Sequence, residues 1–71
     1  MTRAHLKTSV DILNAALEKE NTARDFYGEL AANCHVDFVQ ELLFRLRNEE
    51  EKHADLIRRM LARLASGHGL T

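Results

Sequence analysis

Apolar residues return at steps of three and four through two separate stretches of this chain, a periodicity that fits amphipathic helix and not the alternation of a strand. In the first stretch Val10, Leu13, Leu17, Glu20, Arg24, Tyr27 and Ala31 follow those steps, and Ala16, Ala23 and Leu30 thicken the same face. In the second, Val39, Leu43, Leu46, Glu50, His53, Ile57, Met60 and Leu64 do the same, flanked by Leu42, Leu56 and Leu61. Between them lies "NCHVD", where Asn33 tolerates a left-handed exit and Asp37 followed by Gln40 reads as a helix start. Thr8 and Asp11 are a candidate capping pair near the first helix's beginning. The spacing predicts helices over about 6–32 and 37–66, a turn at about 33–36 and a short tail over 67–71, with Gly67 suited to the left-handed conformation after a helix. So short a turn makes the helices antiparallel. The expected fold is an all-α hairpin, one domain over residues 1–71.

A chain of 71 residues struggles to bury enough apolar surface alone, and a lone hairpin leaves part of both stripes wet. Association with another chain is the physical expectation. Hydrophobic residues make up 45% and charged residues 30%, with no proline, which suits soluble helix and not disorder. The net charge of -1 offers no basic face for nucleic acid. No apolar run approaches the roughly 20 residues of a membrane span. "MTRAHLKTSVD" lacks the apolar centre of a signal peptide, so a cytoplasmic setting is expected. The single cysteine, Cys34, excludes an internal disulfide and a cysteine-based metal cluster within one chain.

Charge interrupts both seams at matching heights. Facing residues of an antiparallel hairpin lie about equally far from the turn, and the midpoints of 20 with 50 and of 20 with 53 are 35 and 36.5, in or beside it. Glu20, Glu50 and His53 are therefore expected at one level, facing one interior. Unpaired interior carboxylates are costly, and two together are worse. A divalent metal compensates directly, because carboxylate oxygens and an imidazole nitrogen are ligands for Fe, Mn or Zn. Helical di-iron sites take a Glu from each of two helices and a Glu-x-x-His from each of two others. This chain holds one Glu and one Glu50-x-x-His53, half of such a site on half of a four-helix bundle. A symmetric dimer would meet both deficits.

In "EKENTARDFYGELA" and "LRNEEEKHADLI" the chain resembles the rubrerythrin-type branch of the ferritin-like superfamily. The resemblance covers about residues 6 to 64 and is nearest the half-length members, the encapsulated ferritins and their free-standing relatives. It implies a two-helix chain that dimerises into a four-helix bundle, and it allows higher even-numbered oligomers such as a decamer. It implies Glu20, Glu50 and His53 as iron ligands, one iron per chain, with Glu50 of each chain placed to bridge the pair. Tyr27 would sit beside the site, with Phe26 where the family has Trp. The implied activity is oxidation of Fe(II) by dioxygen, in iron handling or storage. The family extends to enclosure in an encapsulin shell, but no targeting peptide of that kind is seen here. Lys19 and Thr22 stand where encapsulated ferritins carry acids leading to the site.

Competing readings attach to single residues. Glu49, four before His53, is a rival ligand or a solvated charge, and Glu51 is read as solvated. Arg24, one turn from Glu20, is expected to pair with it. Tyr27 and Met60 also read as plain packing, and Cys34 with His35 makes a poor metal site. His5 and His68 read as exposed. Two other functions remain beside the ferroxidase: a metal-free helical module that binds partner helices through its leucine stripe, and a di-metal protein for peroxide or for manganese or zinc.

Overall fold

The computed structural model describes residues 8–67, and they form a helical hairpin of α1 (Ser9–Ala32) and α2 (Asp37–Ala65). Residues 6 and 7 of the expected first helix, His5, and the tail from His68 onward lie outside the described residues. Thr8 caps α1: its backbone is extended, and its Oγ1 accepts the Asp11 amide at 3.1 Å. The Asp11 carboxylate also stands near the positive end of the helix dipole.

The turn is built differently from its sequence cues. Asn33 is not left-handed but has φ of −101°; its side chain instead donates to the Glu29 carbonyl at 2.9 Å and closes the end of α1. No side chain caps α2, because Val36 holds the N-cap position. Gln40 does not complete a capping pair with Asp37. It reaches back across the turn and donates to the Ala31 carbonyl at 2.7 Å, which ties α2 to α1. At the far end the Ser66 hydroxyl donates to Arg63 O at 2.9 Å, and Gly67 takes φ of +89°, where a Cβ would be strained.

The hairpin is a slab only 11 Å deep in its thinnest direction, and its two faces differ. Ala31 and Ala54 are its fully buried apolar residues among those described, and no large side chain is fully buried. At helical periodicity Ile12, Phe26 and Leu30 of α1 share a face with Leu42, Leu56 and Met60 of α2, and all six are exposed. We call this the front. The back carries Asn21, Arg24, Arg47, Glu51 and Arg58, bonded among themselves or to neighbouring polar side chains. Arg47 also covers the Phe44 ring, 4.7 Å from its centroid. No described helix is long and apolar enough to cross a membrane.

Candidate metal centre

Glu20 projects from α1 toward α2, and Glu50 and His53 project back from adjacent turns of α2. One ligand atom from each of the three lies within 4.8 Å of the others. His53 Nδ1 is 3.6 Å from Glu20 Oε1 and 3.4 Å from Glu50 Oε1, close in charge but too long and unaligned for hydrogen bonds of ordinary strength. The carboxylates are half-buried between the helices, while the imidazole is 51% exposed and opens onto the front face.

Glu20 Oε1 is buried and has no hydrogen-bond partner. A polar atom in that condition needs an explanation, and an ion is one of the few available. Two oxygen donors and one imidazole nitrogen form a donor set that suits iron, manganese or zinc. The residues present therefore fit a divalent metal ion. The Glu20 carboxyl is held above the ordinary carboxylate range, first because a proton shared with Glu50 favours the neutral form, then by burial and by the charge on Glu50; His53 opposes the shift. The metal-free pair thus carries a frustration that a cation would relieve.

That frustration gives a pH dependence whose sign is fixed. A carboxyl raised on folding contributes stability below its unfolded value and loses it as pH rises through the folded value. Metal-free protein should therefore melt lower, relative to Glu20→Gln, at about pH 7 than at about pH 4. Thermal melts of both proteins in chelator check this. A gap that stays constant across that range would show that Glu20 is not frustrated. Metal uptake has the opposite sign, since it requires the ionised carboxylate and weakens as pH falls.

The other sequence candidates do not join the cluster. Glu49, the rival ligand, stays out: its side chain is 57% exposed and lies 3.6 Å from Lys52. Tyr27 is half-buried, with its ring 5.5 Å from that of Phe26, and among the described residues its hydroxyl makes no hydrogen bond to the three ligands. Cys34 lies at the turn, its thiol 3.7 Å from the Val36 carbonyl, away from the cluster. Met60 lines an open apolar groove with Ile12, Leu13 and Leu64.

Two expectations are corrected. Arg24 does not pair with Glu20, and Glu51 is not a free solvated charge. Arg24 Nη1 lies 2.9 Å from Glu51 Oε1 across the hairpin and 3.1 Å from Asn21 Oδ1. Arg58 Nη1 lies 3.3 Å from Glu51 Oε2, and its Nη2 lies 3.5 Å from Asn21 Oδ1. These four side chains form a ring on the back face. The guanidinium of Arg24 holds Glu51 below the ordinary carboxylate range, and Glu51 raises Arg24 in turn. Distance from the turn does not signal it, because the midpoint of 24 and 51 is 37.5, inside α2 and past the turn.

The rubrerythrin family model matches residues 11–71 of the chain. No curated protein and no solved structure matches it. The matched span contains both helices up to α1's first turn and all three residues of the cluster.

Proposed function

We propose that this chain, which belongs to the rubrerythrin family, oxidises Fe(II) with dioxygen at a site completed by a second copy of itself. The observation that carries the reading is the convergence of Glu20, Glu50 and His53 around a buried carboxylate oxygen with no partner. Supporting it, the imidazole opens onto the apolar front that the hairpin leaves uncovered. Two copies packed front to front would bury Phe26, Leu42, Leu56 and Met60 and bring two half-sites together. Each chain then contributes two carboxylates and one imidazole, and each takes up one iron.

Iron enters as substrate. Two Fe(II) ions supply the two electrons that take dioxygen, with two protons, to hydrogen peroxide. The role of the chain is to hold the pair and to bias its charge. Hard, anionic oxygen donors favour the trivalent product over Fe(II). Three side-chain donors per metal leave coordination positions open, which a closed structural site does not. Within the family we place the chain with the half-length members that resemble encapsulated ferritins. Storage of a mineral would need a shell beyond what a dimer encloses.

Addition of Fe(II) to metal-free protein in air tests the reading. Ferric absorbance should rise faster than in buffer, and the initial rate should climb steeply as loading approaches two irons per dimer. Zn(II), which takes the same ligands without redox chemistry, should suppress it. Binding of iron with oxidation no faster than in buffer would leave a metal-linked dimer and no ferroxidase.

A further inference from the structure

The ring of polar side chains on the back face lies directly behind the cluster. Asn21 follows Glu20 in the chain, and Glu51 follows Glu50. Fold stability is a poor account of it, since ion pairs as exposed as these contribute little. The placement of Arg24 is more telling. It stands four residues after Glu20, a spacing at which oppositely charged side chains on a helix readily pair. Glu20 Oε1 has no donor. Yet the guanidinium is turned to the other side of the hairpin, held at 2.9 Å by Glu51 and at 3.0 Å by Asp25.

We propose that Glu51 is a positioning residue that holds Arg24 off Glu20 and so keeps the Glu20 carboxylate free for a divalent metal ion. The proposal rests on the reading of Glu20, Glu50 and His53 as a metal site. An arginine paired with Glu20 would compete with the metal for the same charge and the same lone pairs. Asp25 is a weak restraint by itself, because its side chain is 72% exposed and adjacent helical residues do not face each other. Glu51 reaches in from the opposing helix and is itself fixed by Arg58 at 3.3 Å. It therefore draws the guanidinium toward the back, where the metal is not.

Co(II), a probe that air does not oxidise at this kind of site, separates the role from simple bracing. Affinity is read by calorimetric titration of the full chain, and coordination by visible absorption. Circular dichroism and light scattering confirm that each variant is folded and assembled. Glu51→Gln should weaken Co(II) binding by on the order of tenfold, the scale of lost ligand support. Adding Arg24→Met to it should restore binding, and Arg24→Met alone should bind at least as tightly as the unaltered chain. Bracing predicts the reverse, with the double variant weaker than either single one. Unchanged affinity in Glu51→Gln, no recovery in the double variant, or weaker binding by Arg24→Met alone would each overturn the proposal. If Glu51→Gln does not assemble, Arg24→Met alone decides it. Equal Co(II) binding by Glu20→Ala and the unaltered chain would overturn the metal site itself, and with it any role for Glu51.

Discussion

Leu56→Glu is expected to leave the chain monomeric and mostly unfolded at micromolar concentration, where the unaltered chain should be a helical dimer or a multiple of one. Leu56 is 55% exposed in the single hairpin, and the front residues Phe26, Leu42 and Met60 are 55%, 52% and 45% exposed. Against that surface the hairpin sets two fully buried alanines, Ala31 and Ala54. So little internal burial does not offset the conformational entropy of ordering two helices. Covering one leucine contributes roughly 1.5–3 kcal/mol. A two-fold interface counts the substitution twice and adds two unpaired carboxylates to the apolar contact. Folding and association are then one equilibrium, so the melting temperature of the unaltered chain should rise with protein concentration. Glu41→Lys, at an exposed position pointing away from both faces, should change neither helicity nor mass. Light scattering and circular dichroism on both variants are the measurement. A helical Leu56→Glu monomer would show that the hairpin stands alone, and an unaltered chain that is itself monomeric would remove the two-chain site.

The same burial pattern explains how much the sequence reveals. Periodicity is a statement about one face of a helix, so it shows clearly that Glu20, Glu50 and His53 interrupt an apolar seam. Distance from the turn is a second coordinate, and it places the three at one height. Neither coordinate says on which side of the hairpin a residue just off the seam will lie. That depends on the sense in which two antiparallel helices present their flanks, a property of the pair. Arg24 illustrates the loss. Its spacing within α1 suggests Glu20, but its flank faces the back, where Glu51 and Asn21 meet it at 2.9 and 3.1 Å. Gln40 and Asn33 illustrate another. Both carry helix-end chemistry, and both apply it to the carbonyls at the end of α1, Ala31 and Glu29, instead of to the places their motifs suggest. Local motifs name the groups that need partners; the tertiary contact chooses among the partners within reach.

Glu50→Ala should abolish stoichiometric iron uptake and, with it, the proposed acceleration of Fe(II) oxidation. Three donors per chain leave little to spare, and Glu50 is one of only two anionic donors, its Oε1 3.4 Å from His53 Nδ1 in a cluster whose ligand atoms all lie within 4.8 Å of one another. Removing it takes a charge and an oxygen donor from each metal. The unaltered chain should saturate near one iron per chain, measured anaerobically by titration and metal analysis. His53→Ala keeps both carboxylates and should bind weakly. Glu49→Ala should bind as the unaltered chain does, since Glu49 points to Lys52 and not to the cluster. Stability should move the other way in metal-free protein: Glu20→Gln or Glu50→Ala relieves the carboxylate pair and raises the melting temperature at neutral pH. A ligand that destabilises the empty protein and is indispensable to the filled one is the mark of a site shaped for a cation. A metal-free polar network that only sets helix register gives a different result. In that case the unaltered chain takes up no iron, Glu50→Ala lowers stability by leaving Glu20 and His53 without their neighbour, and the apolar front is left to serve as a binding surface for partner helices.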